Sequence, residues 1–143
     1  MYSKQFGIPV DKQEIFTMNL RFVTKTIHAY LDYPVAIALI ALPFLLGLGD
    51  SNPLALWLSV GTGVAAFILT VLTDHKLGMI RVLSYAFHLR VDFLVGVVFI
   101  IAPFLLGFSG LDAWFYWING AAVLTVVSLH KPEITPQAAR AVA

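Results

Sequence analysis

The feature that most constrains this chain is a segment written twice at a fixed spacing. His28-Ala29-Tyr30-Leu31-Asp32-Tyr33 returns as His88-Leu89-Arg90-Val91-Asp92-Phe93, and Leu42-Pro43-Phe44-Leu45-Leu46-Gly47 returns as Ala102-Pro103-Phe104-Leu105-Leu106-Gly107, both at a shift of 60. The same shift carries Trp57 onto Trp117 without a gap. Matches between Val and Ile residues arise easily in apolar sequence; His, Asp, Pro, Gly and Trp all keeping one register do not. The chain is therefore read as a duplication, and a duplicated unit decides the architecture.

The unit belongs in a membrane. Of 143 residues, 59% are hydrophobic and 12% charged, against about 45–50% and about 25% in soluble domains, and the mean hydropathy is +0.86. Crossing about 30 Å of hydrocarbon takes about 20 helical residues, which the runs 31–49, 54–73, 91–108 and 114–129 approach. All nine Lys and Arg residues fall before the first run, between the second and third, or after the fourth, while the loops at 50–53 and 109–113 carry Asp50 and Asp112 instead. The positive-inside rule then puts both chain ends and the central linker on the cytoplasmic side. The expected fold is an all-α polytopic protein of the cytoplasmic (inner) membrane. Its four transmembrane helices form two tandem hairpins of the same orientation, related by a pseudo-twofold along the membrane normal. The divisions are a cytoplasmic, interfacial N-terminal segment 1–27, a first hairpin 28–73, an interfacial linker 74–87, a second hairpin 88–130 and a cytoplasmic tail 131–143.

Local signals fill in this frame. Ile15, Phe16, Leu20, Val23 and Ile27 recur near helical spacing, which fits either a helix lying on the membrane surface or an extension packed under the bundle, and Leu77, Ile80, Leu83, Ala86 and Phe87 suggest an interfacial helix for the linker. Residues before 26 lack the apolar core of a cleavable signal, so the first span is expected to direct insertion. Asp32 and Asp92 are expected to cap helix starts, with Pro34 in the first turn. Pro43 and Pro103 are expected to kink the first span of each hairpin, each of which ends at Gly47 or Gly107. Trp57, Trp114, Tyr116 and Trp117 read as an outer aromatic belt, and Tyr30, Tyr33 and Tyr85 as an inner one. Gly61, Gly63, Ala65, Ala66, Gly120, Ala121 and Ala122 make thin faces on the second and fourth spans, which are expected to meet each other or a neighbouring subunit.

With these elements in place the chain resembles the SPW-repeat family of small integral membrane proteins. The likeness covers residues 27–130 and rests on the Pro-aromatic motif of each hairpin, on Thr73-Asp74 and Leu77-Gly78, and on His88-Leu89-x-x-Asp92. The family motif is Ser-Pro-Trp. Leu42-Pro43-Phe44 and Ala102-Pro103-Phe104 keep its proline and lose the hydroxyl and the indole N–H. The resemblance implies the two-hairpin fold and brings no activity with it.

The residues able to do chemistry are few. His28 with Asp32, and His88 with Asp92, stand four apart and so share a helical face. His75 and His130 end the second and fourth spans at the same boundary. Pseudo-symmetric histidines could clamp a haem, or bind a metal with carboxylates orienting the rings, which makes His28, His88, His75 and His130 the candidate cofactor ligands. No metal signature such as His-Glu-x-x-His occurs, however. The preferred reading is structural: aspartates at helix starts, histidines completing the caps at the membrane rim, and no cofactor. Cysteine is absent, Ser59, Ser84 and Ser128 lack a catalytic constellation, and the cations are too scattered for nucleic acid. The expected function is that of a non-enzymatic structural, assembly or accessory subunit in contact with membrane lipids, working in a homo-oligomer or a larger membrane complex. The alternatives are a haem- or metal-binding redox protein and a small oligomeric transporter or channel.

Overall fold

The computed structural model describes residues 21–131. Four helices follow one another: α1 Lys25–Leu46, α2 Leu54–Leu72, α3 Tyr85–Leu106 and α4 Gly110–Ser128. The packed faces are chiefly α1 on α2 and α3 on α4, two helical hairpins. Helices α1, α2 and α3 are long and apolar enough to cross a membrane. In α4, which has 19 residues, Asp112, Tyr116 and Asn119 dilute the apolar run. Large apolar side chains such as Leu45, Phe104 and Leu105 point away from the protein at 73–78% exposure, as a lipid-facing surface requires. The chain is a small helical membrane protein. The surface helix expected over the N-terminal segment lies largely outside the described residues, as does the tail beyond Lys131.

Both first helices start earlier than the sequence suggested. Their caps are Thr24 and Ser84, themselves 60 residues apart, whose extended backbones and hydroxyl groups receive the N–H of Ile27 at 3.2 Å and Phe87 at 3.3 Å. Asp32 and Asp92 therefore do not cap anything; they sit about two turns inside α1 and α3. Pro34 is likewise internal to α1.

The two kink-forming prolines also have a different place. Pro43 and Pro103 lie in the last turn of α1 and α3, where each helix ends on a left-handed glycine, Gly47 (φ 66°) or Gly107 (φ 68°). Leu48 N–H bonds Pro43 O at 2.8 Å and Phe108 N–H bonds Pro103 O at 3.0 Å. These are the six-to-one bonds of a Schellman stop, and the apolar residue after the glycine, Leu48 or Phe108, is buried in the core. Pro43 leaves the Leu39 carbonyl without its helical donor. The Ser59 hydroxyl of α2 supplies one, at 2.8 Å.

Of the thin faces, Gly63 and Gly120 serve contacts inside the hairpins, while a Cβ on Gly61 would meet nothing within 4 Å. A Cβ on Gly63 would lie 2.8 Å from Ala36 O of α1, and one on Gly120 would lie 3.0 Å from Gly96 O of α3. The core fills the half of the bundle nearest Gly47 and Gly107, where Leu39, Leu48, Ala55, Phe99, Phe108 and Tyr116 pack together. Tyr116 is thus no belt residue: it is fully buried, and its hydroxyl donates to Ala55 O of α2 at 2.8 Å.

The linker does not form the expected interfacial helix. It folds back over the end of α2 and supplies donors for that helix's last carbonyls. Val71 O receives N–H groups from Met79 and Ile80, and Leu72 O receives those of Val82 and Leu83. Thr73 pairs with Leu83, just as Val23 pairs with His130 beside the end of α4. A Cβ on Gly78 would fall 1.8 Å from Thr73 O, so the fold-back requires glycine there. Met79, Ile80 and Val82 are exposed.

Candidate functional site

The caps at Thr24 and Ser84 place His28 and His88 one turn into their helices, at matching heights, with Asp32 and Asp92 one turn further along the same faces. All four side chains turn into the space between the hairpins. His28 and His88 are 3% and 1% exposed, so they are buried groups and not rim groups. Asp92 Oδ2 lies 2.8 Å from His28 Nε2 and 3.1 Å from His88 Nε2. Asp32 Oδ1 lies 3.2 Å from His28 Nε2, and its Oδ2 lies 3.5 Å from His88 Nε2. Each aspartate thus faces the histidine of its own helix and that of the other hairpin.

The other two histidines join the cluster. Ring centroids run from His130 to His28 at 6.4 Å, His28 to His88 at 5.6 Å and His88 to His75 at 6.1 Å. Tyr85, expected in the inner belt, is buried among them, stacked on His88 at 6.1 Å with its hydroxyl 3.4 Å from His130 Nδ1. Lys25 Nζ stands 5.2 Å above the Tyr85 ring, within cation–π range. The His75 Nδ1 accepts the Leu77 N–H at 3.2 Å. Burial holds the His75 pKa below the usual 6.5, and the nearby His88, Lys25, His28 and Arg81 push it the same way.

Thr73 sets the orientation of His88. Its hydroxyl donates to Leu69 O at 2.7 Å and stands 2.8 Å from His88 Nδ1. One hydroxyl hydrogen cannot serve both, so Thr73 Oγ1 accepts from His88 Nδ1–H. Within the same cluster His28 Nδ1, Asp32 Oδ2 and His75 Nε2 are buried without a hydrogen-bond partner.

Below the His/Asp groups a cavity of about 470 Å³ opens between the hairpins. Its walls are mainly apolar and come from all four helices, with Val35, Leu69, Val91 and Val126 among them and Thr62 and Asn119 deeper in.

The four histidines and two aspartates singled out in the sequence are brought together here. Pro43, Pro103, Gly47, Gly107, Trp57 and Trp117 belong to the opposite end, where Phe44 packs on Trp57 at 6.3 Å and Phe104 on Trp117 at 5.5 Å. Sequence reasoning missed three residues: Thr73 as the partner of His88, Tyr85 as a cluster member, and Asp112. The last is 2% exposed and accepts from the Gly49 and Ser51 N–H groups and the Ser51 hydroxyl, tying the α1–α2 loop to the start of α4. Only Thr73 had a signal, its place in the Thr73-Asp74 pair.

No curated protein and no solved structure matches this chain. The SPW repeat domain family matches residues 25–130, which include all four helices and the entire His/Asp cluster, and the chain belongs to that family.

Proposed function

We propose that this protein is a non-enzymatic four-span subunit of the cytoplasmic membrane, with a structural, assembly or accessory role in a homo-oligomer or a larger membrane complex. Its hairpins share one orientation about a pseudo-twofold along the membrane normal, and the chain ends and residues 74–87 are cytoplasmic. The 60-residue register supports the symmetry. It recurs in the caps Thr24 and Ser84, the stops Gly47 and Gly107, and the aromatic pairs on Trp57 and Trp117. The end of α4 holds the entry to α1 through Val23, and the end of α2 holds the entry to α3 through Leu83.

The observation that carries the non-enzymatic reading is where the polar side chains go. At the inner end they join hairpin to hairpin through His28–Asp92 and His88–Asp32. At the outer end Asp112 holds Gly49 and Ser51, and Asn52 Nδ2–H donates to Leu106 O at 2.9 Å. Polar groups fixed to one another build a scaffold, and the apolar faces left outside suit lipid and neighbouring helices.

Because the chain lacks cysteine, single cysteines test the topology directly. Lys76→Cys should react with an impermeant maleimide only from the cytoplasmic side, and Asp50→Cys only from the other; the reverse pattern, or both labels on one side, overturns the arrangement. Crosslinking in native lipid should join the chain to itself or to another membrane protein. A chain that stays monomeric and uncrosslinked would refute the subunit role.

A further inference from the structure

We propose that His28, Asp32, His88 and Asp92 form a closed site for one borderline divalent cation, best suited to Zn²⁺, which clamps the two hairpins at their inner ends. The inference goes beyond the subunit role, which would stand without it.

Thr73 fixes the His88 hydrogen on Nδ1, so the neutral ring presents a bare lone pair at Nε2. That lone pair faces Asp92 Oδ2 at 3.1 Å and Asp32 Oδ2 at 3.5 Å. Lone pairs directed at carboxylate oxygens in a buried space repel, so something positive belongs between them. At His88 a second proton on the ring or a proton on a carboxylate would serve, and so would a metal; His28, whose Nδ1 has no partner, can turn either a hydrogen or a lone pair at Nε2 toward Asp92. The Nδ1–H bond to a hydroxyl oxygen is the outer contact that keeps Nε2 free and aimed in a metal-binding histidine.

Zinc takes N and O ligands at about 2.0–2.1 Å in a tetrahedron, which makes each edge roughly 3.3 Å. The four N···O separations are 2.8 and 3.1 Å to Asp92 Oδ2, 3.2 Å from His28 to Asp32 Oδ1 and 3.5 Å from His88 to Asp32 Oδ2, and one ligand atom from each of the four residues can be chosen so that all lie within 4.8 Å of one another. The contacts to Asp92 Oδ2 lie close to that edge, while the full set spans up to 4.8 Å, so side-chain movements would draw the four groups onto an ion.

Charge and composition complete the case. Two carboxylates balance a dication, leaving a neutral buried centre. Two imidazoles with two carboxylates favour zinc over magnesium or calcium, which want oxygen alone. With four protein ligands the site has no open position, so it is structural and not catalytic. Each hairpin donates one His-x-x-x-Asp pair, and neither could fill the coordination sphere alone.

The experiment uses the full chain, purified in detergent, stripped with a chelator and titrated with Zn²⁺ alone. One tightly held ion per chain is expected, along with a rise in thermal stability. Co²⁺ in the same protein should give the intense visible absorption of a tetrahedral centre. Less than a tenth of an ion per chain, or the weak spectrum of octahedral cobalt, would overturn the proposal on the unaltered protein, whatever the variants do. Asp32→Asn with Asp92→Asn, checked for helicity, should abolish binding; retained stoichiometric zinc would move the site elsewhere and refute it. Thr73→Val should weaken binding by about 10–100-fold through loss of the Nδ1 partner, and Thr73→Ser should restore it. Equal affinity in the two Thr73 variants would refute the orientation of His88 and with it the bare lone pair at Nε2.

Discussion

Asp50 and Asp112 look equivalent in sequence, an acidic residue in each outer loop, yet their replacement should have opposite consequences. Asp50 is exposed, so Asp50→Ala should stay within about 0.5 kcal/mol of the parent. Asp112 is buried and accepts from Gly49 N–H at 2.9 Å, Ser51 N–H at 3.0 Å and the Ser51 hydroxyl. Hydrogen bonds to a charged group contribute about 1.5–3 kcal/mol each, and a stranded buried donor costs about 1–3 kcal/mol. In Asp112→Ala the hydroxyl can turn to water, while the two backbone amides cannot leave the loop. Summing the two amides gives about 2–6 kcal/mol, and hydration at the loop surface favours the lower half, about 3 kcal/mol. That is a shift of roughly 100-fold or more in the folding equilibrium. Unfolding in mixed micelles, followed by the fluorescence of Trp57, Trp114 and Trp117, reads it directly. Asp112→Asn should lose about half as much, because one oxygen can still accept. A cost under about 1 kcal/mol for Asp112→Ala would show that the loops hold together without this carboxylate.

Three further outcomes follow from single contacts. Ser59→Ala removes the donor that serves the proline-freed Leu39 carbonyl and should cost about 1–3 kcal/mol in the same unfolding assay, whereas Ser128→Ala at the end of α4 should be near neutral. Gly78→Ala sets a Cβ against the Thr73 carbonyl, so it should lower the melting temperature and, by moving Thr73, weaken the inner cluster; near-parental melting would disprove the fold-back of residues 73–83. His75 binds its proton less readily in the folded protein than in the unfolded chain, whose value is 6.5. Its contribution is complete above that pH and is lost as pH falls below it, because the unfolded state gains the proton first. Metal-free protein should therefore lose more stability between pH 7.5 and pH 5.5 than His75→Gln does, and equal losses would contradict the assignment.

What the sequence revealed and what it concealed divide along one physical line. The duplication, the helical hairpins and the family were legible because they rest on spacing and hydropathy, which are properties of one strand of sequence. The capping role given to Asp32 and Asp92 went astray because Asp is among the best caps in isolation, and an aspartate near the start of an apolar run invites that reading. Thr24 and Ser84 do the capping, two turns earlier, and the turns they start, Lys25-Thr26-Ile27-His28 and Tyr85-Ala86-Phe87-His88, extend α1 and α3 in the N-terminal direction. The prolines were misjudged for the related reason that the helix frame had slipped: with the start moved back, Pro43 and Pro103 join the stop signal at Gly47 and Gly107.

The slip in frame changes the meaning of the histidines. Counted from Asp32 as a cap, His28 lies outside the helix at the headgroups; counted from Thr24, it lies one turn inside, facing its counterpart across the bundle. Nothing in a single hairpin distinguishes these cases, because the decisive contacts, His28 to Asp92 and Asp32 to His88, run between repeats. A sequence repeat announces that two such pairs exist, and only the docking of the hairpins converts them into one centre. The same holds for Asp112, whose partners at Gly49 and Ser51 lie in the other half of the chain. In a duplicated membrane protein the polar residues most worth testing are thus those whose partner lies one repeat away, since burying them in apolar surroundings is tolerable only when the two halves meet.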